Sequence, residues 1–228
     1  MKTYRGRMRN QRKNMPYSHV VWDFNGTLLD DVSIGVEAIN VLLKKHGRPM
    51  LDSVEAYRRY FCFPVVDYYE KIGLERERFE VYAAEWVSEY NLRAASAELC
   101  FGARELIEFF KGNGCRQYLL SATEQKMLEK QVESLGLRAY FDDLIGQGDT
   151  YCSGKMEAAV NWSKKVNPKR ALFIGDTIHD FEVATAAGAD CVLLASGHQD
   201  YARLALCGCP VFEGLPALRK YFCAEENP

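Results

Sequence analysis

Polar residues that stand at the ends of short apolar runs could together handle a phosphoryl group. Asp23 and Asn25 follow His19-Val-Val-Trp22, Ser121 follows Arg116-Gln-Tyr-Leu-Leu120, and Asp176 follows Arg170-Ala-Leu-Phe-Ile174-Gly175. Asp180 comes four residues after Asp176, and Lys155 lies ahead of that last run. An acid followed by Gly-Thr has an ordinary reading as a turn or helix cap. Two acids at two strand ends, a serine at a third and an intervening lysine are harder to explain that way. Mg²⁺ takes one or two carboxylates plus oxygens from substrate and water. Asp23 and Asp176 would supply those carboxylates, and the backbone carbonyl of Asn25 a third oxygen. With charge neutralised, Asp23 can attack phosphorus as a nucleophile. Ser121 and the amides after it, starting at Ala122, would hold phosphate oxygens. Lys155 would add a point charge, and Asp180 would orient Lys155 or a metal-bound water.

Such a constellation needs elements that bring strand ends together. Asp142-Asp-Leu-Ile145 and Cys191-Val-Leu-Leu194 read as further strands. Helical segments lie between the strands at Ala103–Lys111, Glu124–Leu135, Met156–Val166 and Asp180–Ala187. That alternation predicts an α/β fold: a Rossmann-like parallel sheet in a three-layer α/β/α core, with ligands bound beyond the carboxyl ends of the strands. Residues 31–99 break the rhythm and carry only helical patterns. In Glu75–Ala97, the residues Phe79, Tyr82, Ala83, Trp86, Val87 and Tyr90 form one apolar stripe. Val36, Ile39, Asn40 and Leu43 form another. The expected organisation is a basic tail at 1–16, a core at 17–30 and 100–228, and an inserted α-helical cap at 31–99.

Val20-Val-Trp-Asp23-Phe-Asn-Gly-Thr27-Leu-Leu-Asp30, Leu119-Leu-Ser121-Ala-Thr123, Lys155 and Phe173-Ile-Gly-Asp176-Thr-Ile-His-Asp180 occur in that order. In order and spacing they resemble the four motifs of the haloacid dehalogenase-like hydrolase superfamily, over roughly Tyr17 to Phe222. The insertion is similar to the helical cap of the phosphoglycolate phosphatase and β-phosphoglucomutase branch. Leu99-Cys-Phe-Gly102-Ala-Arg-Glu-Leu-Ile107 resembles that branch's return from cap to core. The resemblance implies a Mg²⁺-dependent phosphatase acting on a small phosphorylated metabolite. The phosphoryl group would pass to Asp23 and then to water, with Asp180 and Lys155 in catalysis and Gly26, Ser121, Ala122 and Lys155 around the phosphate. Asp23, Asn25 and Asp176 would hold the metal.

One position departs from that pattern. Phosphatases of the family usually carry an acid/base Asp two residues after the nucleophile, where this chain has Asn25. An amide cannot exchange a proton at neutral pH, and losing general acid–base help costs about 10²- to 10⁴-fold in rate. Three consequences stay open: a slow phosphatase, a proton supplied by His179 or a cap residue, or a different reaction. A slow enzyme would be expected to gain turnover from Asn25→Asp. The alternatives are a weakened member that binds a phosphorylated ligand as a sensor, or a phosphonate or haloacid hydrolase. A phosphonatase would need a cap lysine, and Lys44, Lys45 and Lys71 are available. Arg58 and Arg59 are candidates for a substrate carboxylate.

Composition sets outer limits. The chain has 228 residues, 48% hydrophobic, with a formal charge of -2. This is globular composition, and the charge offers no reason to expect nucleic acid as a partner. No run approaches the roughly 18 to 20 apolar residues of a membrane span. Eight cysteines without a Cys-x-x-Cys pair suggest a reduced, cytoplasmic protein. Cys207-Gly-Cys209 could be read as a redox pair, though free loop thiols are the simpler reading. Lys2, Arg5, Arg7, Arg9, Arg12 and Lys13 mark a solvated tail, or an extension upstream of a start at Met15. Oligomeric state has no signature in the sequence.

Overall fold

Val20, Val21 and Trp22 are each no more than 1% exposed, as expected of a strand with helices on both faces. The protein is described by a computed structural model covering residues 15–148 and 154–224. Its strands are β1 (His19–Trp22), β2 (Leu29–Asp30), β3 (Glu98–Leu99), β4 (Arg116–Glu124), β5 (Asp143–Gln147), β6 (Ala171–Gly175), β7 (Asp190–Leu194) and β8 (Val211–Phe212). Six of them form one parallel sheet in the order β5-β4-β1-β6-β7-β8. The β1 register places Trp22 beside Leu119 and Ile174, so the chain leaves β1, β4 and β6 toward the same end.

Side chains alternate across this sheet. Val20, Trp22, Leu119, Leu172 and Ile174 form one core with Leu106, Ile107, Phe110, Leu218 and Phe222. Val21, Tyr118, Leu120 and Phe173 form a second with Trp162, Val183, Ala184 and Leu204. The three-layer α/β/α arrangement follows directly. The indole of Trp22 donates to Gln117 Oε1 at 2.9 Å, and Gln117 donates to Ile107 O at 3.0 Å, so the buried polar atoms at the centre are paired.

Residues between β2 and β3 fold into α1 (Val32–Lys45), α2 (Val54–Tyr60), α3 (Val65–Lys71) and α4 (Phe79–Ala94). Their own core is built from Ile39, Leu42, Leu43, Tyr57, Tyr68, Tyr69 and Tyr82. The expected long helix is shorter than its pattern: a 3-10 turn at Arg76–Arg78 precedes α4. Val87 lies off the stripe and is 48% exposed. Antiparallel pairing of β2 with β3 gathers both crossings into one two-stranded ribbon, which two-residue runs could not announce. The core continues through α5 (Ala103–Gly112), α6 (Gln125–Ser134), α7 (Gly154–Val166), α8 (Ile178–Ala187), α9 (Tyr201–Leu204) and α10 (Leu215–Ala224). Residues 1–14 of the expected tail lie outside the described residues, and Met15 already packs on the core.

Candidate active site

The carboxyl ends of β1, β4 and β6 deliver the expected groups to one place. The Asp23 amide donates to Ile174 O at 2.8 Å, extending the β1–β6 ladder by one bond and locking the first acid beside the second strand. Asp23, Asp176 and Asp180 are buried, and each offers a carboxylate oxygen within 4.8 Å of the others. Lys155 enters from the first turn of α7 and is 4% exposed. Its ammonium donates to Asp23 Oδ1 and, at 2.6 Å, to Asp180 Oδ1.

Asp180 is held on its other oxygen. Thr177 caps α8 in a capping box, and Asp180 Oδ2 accepts from the amides of Asp176 and Thr177 at 3.1 and 3.0 Å and from Thr177 Oγ1 at 2.7 Å. The ordinary cap reading of an acid after a strand is therefore true of Asp180, which also aims Lys155 at Asp23. Burial pushes the Asp180 carboxyl up, but Lys155 outweighs it and holds the pKa below the usual range. Asp23 is raised well above the usual range by burial, with Asp180 and Asp176 adding to the rise and Lys155 opposing it. Asp176 is pushed up to about 6, chiefly by burial.

Three buried carboxylates face one ammonium at this point. When all are ionised, the cluster lacks two positive charges. Burying unpaired charge is costly, and hard oxygen donors are what a Mg²⁺-like ion takes. The donor set fits a divalent cation. Asp180 is committed to Lys155 and its cap, which leaves Asp23 and Asp176 as the available side-chain ligands. Asp176 itself accepts from Thr27 Oγ1 at 3.1 Å and from the His198 amide at 2.6 Å.

Asn25 sits in a network that strand-end reasoning does not anticipate. Its Nδ2 donates to Asp31 Oδ2 at 2.8 Å and to the Tyr90 hydroxyl at 2.9 Å. Its Oδ1 accepts from Thr123 Oγ1 at 2.8 Å, and Thr123 in turn accepts from Ser121 Oγ at 3.0 Å. Asp31 also accepts from the Gly26 amide at 2.8 Å and the Tyr90 hydroxyl at 2.6 Å, and pairs with His198 Nε2 at 3.4 Å. Tyr57 of α2 meets the other His198 ring nitrogen at 2.8 Å. Tyrosines of α2 and α4 thus reach the loop that follows β1 and the His198 segment. Burial alone would lower the His198 pKa; Asp31, with Asp176 and Asp23 behind it, outweighs burial and raises it to about 9. Asp31 is lowered against the upward pull of its own burial, chiefly by His198.

Asp23, Asn25, Gly26, Ser121, Lys155, Asp176 and Asp180 all gather around this site, with Ala122 one residue past Ser121 on β4. Gly26 has φ +71°, and a Cβ there would stand 2.5 Å from both Asp176 Oδ2 and the His198 ring. Only glycine lets the loop pass between those groups. β4 runs on to Glu124 instead of ending at Ser121, with a register shift between Leu120 and Glu124. His179 packs its ring on Phe63 of the cap at 4.8 Å and meets Glu182 at 3.3 Å. Arg58 is spent on the carbonyls of Gly197 and Ser196, at 2.7 and 2.5 Å, and Arg59 is exposed. Lys44, Lys45 and Lys71 are exposed too. Strand-end spacing does not reach His198, Asp31 or Tyr90, which complete the network. His198 follows β7 by four residues, so only a looser strand-end rule flags it. Tyr90 shows in the sequence only as part of an apolar stripe.

Comparison with known proteins agrees with this geometry. The model of the haloacid dehalogenase-like hydrolase family matches residues 20–194. Phosphoglycolate phosphatase 1 of Pseudomonas aeruginosa is 28% identical over 211 residues, covering 87% of this chain and 74% of that protein. A phosphoglycolate phosphatase of Pseudomonas fluorescens is 29% identical over 211 residues, with the same coverage. Among solved structures, a haloacid dehalogenase-like family hydrolase from Streptococcus pneumoniae superposes with a TM-score of 0.77 at 20% identity. It covers 90% of this chain and 98% of its own. A predicted phosphoglycolate phosphatase from Haemophilus somnus gives a TM-score of 0.73 at 18% identity, with the same coverage. These two share the fold. With its family model spanning both Asp23 and Asp176, the chain belongs to the haloacid dehalogenase-like hydrolases.

Proposed function

We propose that this hydrolase is a divalent-cation-dependent phosphatase, with Mg²⁺ as the expected ion, that cleaves a small phosphorylated metabolite of the phosphoglycolate or sugar-phosphate kind. The observation that carries the reading is the Asp23 carboxylate, buried at a strand end beside Lys155 and within 4.8 Å of Asp176. Asp23 attacks phosphorus, the P–O ester bond breaks and the alcohol leaves with a proton from water; a second water then attacks the aspartyl-phosphate, freeing phosphate and restoring the Asp23 carboxylate. Asp23, Asp176 and the Asn25 carbonyl would hold the cation, which when bound would neutralise the charge between an anionic nucleophile and an anionic substrate. Lys155 holds Asp23 in place and shares the phosphate charge, while Ser121 and the Ala122 amide receive phosphate oxygens; the Gly26 amide, expected to join them, is taken up by Asp31 and serves the loop turn instead. The named activity of the curated relatives supports this substrate class.

The test is turnover of an aryl phosphate and of phosphoglycolate, with and without Mg²⁺, by the wild type and Asp23→Asn. Metal-dependent turnover lost in Asp23→Asn is expected. Equal turnover by Asp23→Asn would remove the nucleophile from the account. A second reading, a weakened member that binds a phosphorylated ligand, is favoured by Asn25, whose side chain is committed to Asp31, Tyr90 and Thr123 and has no proton to give. Tight ligand binding with no turnover across a panel of phosphate esters would select it.

A further inference from the structure

The sheet edge far from Asp23 brings two thiols together. Leu193 of β7 is paired in parallel with Val211 of β8, and the Leu193 amide donates to Pro210 O at 3.0 Å. Two residues back along both chains stand Cys191 in β7 and Cys209 just ahead of β8, and both side chains pack into the same core. Neighbouring strands lie about 4.8 Å apart, inside the Cα separation of roughly 4.4 to 6.8 Å that a disulfide spans. Cys191 is 8% exposed within the second core, and Cys207 and Cys209 pack against that core half-buried. All three are free thiols. The Cys207-Gly-Cys209 spacing read from the sequence thus has a different partner in space: Cys209 faces Cys191.

We propose that Cys191 and Cys209 form a peroxide-responsive disulfide that closes residues 191–209 into a covalent loop. Cys209 is the half-exposed member, so its sulfur meets the oxidant. It attacks hydrogen peroxide, the O–O bond breaks, and the departing hydroxide leaves as water with the thiol proton, giving a sulfenic acid. Cys191 sulfur then attacks Cys209 sulfur, the S–O bond breaks, and hydroxide leaves as water with the Cys191 proton. Two thiols and one peroxide become one disulfide and two waters. A dithiol reductant reverses the change by exchange. Each thiol shifts the other, the Cys209 pKa downward and the Cys191 pKa upward, in keeping with these roles. The enclosed loop carries Gly197 and His198, which contact Arg58, Tyr57 and Asp176, so the clip would restrain the segment on which cap and core meet.

The experiment treats the reduced full chain with a small excess of hydrogen peroxide, blocks residual thiols and maps tryptic peptides. Cys191 falls in peptide 171–203, and Cys207 and Cys209 both fall in 204–219. The expected product links these two peptides, at a mass about 2 Da below the sum of the reduced pair, and dithiothreitol separates them. The link persists in Cys207→Ser and vanishes in Cys209→Ser. If Cys209→Ser fails to fold, the wild-type and Cys207→Ser maps decide alone. A link within 204–219, a link that requires Cys207, a link between two molecules, or stepwise oxygen addition at Cys209 without any link would each overturn the proposal.

Discussion

Asn25 Nδ2 stands 2.8 Å from Asp31 Oδ2, and this contact decides what position 25 can hold. Asp31 is 1% exposed and kept ionised by His198, Tyr90 and the Gly26 amide. An amide satisfies it, whereas a carboxylate would face a buried like charge. Asn25→Asp therefore does more than place a proton donor at position 25. The substitution replaces a hydrogen-bond donor with a repelling acceptor.

Asn25→Asp is therefore expected to destabilise the metal-free protein by about 1–3 kcal/mol, the cost of leaving a buried polar partner unsatisfied. The double variant Asn25→Asp, Asp31→Asn exchanges the two side-chain types and should recover most of that loss. Chemical denaturation of the four proteins in a double-mutant cycle measures the coupling. Purely additive effects would show that the two side chains do not interact.

Asp23→Asn keeps the side-chain volume and removes the nucleophile. Turnover of an aryl phosphate should fall by roughly 10⁴-fold or more, as when a nucleophile is removed elsewhere. Folding should be retained, because Asn still offers an oxygen to Lys155. Circular dichroism beside the kinetic assay separates the two effects.

Thr177→Ala removes the hydroxyl that caps α8 and binds Asp180 Oδ2. A lost cap costs about 1 kcal/mol, read as a lowered midpoint of unfolding. Because Asp180 aims Lys155 at Asp23, kcat should fall as well, with a smaller change in KM. A stability loss with unchanged kcat would confine Thr177 to capping.

His198 makes stability depend on pH. Its pKa rises from 6.5 unfolded to about 9 folded, so its contribution is fully present below pH 6.5 and is lost as pH climbs through 9. The loss should be on the order of 2–4 kcal/mol, since each tenfold gain in proton affinity on folding is worth about 1.4 kcal/mol. Unfolding of the chelator-treated protein from pH 6 to pH 10, beside His198→Gln, tests this. The difference between the two proteins should shrink as pH rises.

Much of this molecule is legible from local pattern. Val20-Val-Trp22, Leu172-Phe-Ile174 and Val192-Leu-Leu194 are apolar on both faces, and only a strand between two helical layers buries such a run. A parallel strand must turn back at a common end, so an acid after each of two strands already implies that Asp23 and Asp176 meet. The helical region between residues 31 and 99 is equally visible, because 3.6-residue periodicity needs no partner to be seen. The β2–β3 ribbon and β8 escaped because two-residue strands exist only through their pairing.

Local pattern alone places Asp23, Asp176, Asp180 and Lys155, and the sheet that collects them, since each is tied to a strand end or to the first turn of a helix. Tertiary structure alone decided what surrounds them. Tyr57 and Tyr90 reach Asp31 and His198 because the cap folds back over residues far away in the chain, and Cys191 meets Cys209 because β8 docks on the sheet edge. Spacing along a chain encodes local geometry; contacts between distant segments depend on which faces bury each other, and no short motif carries that.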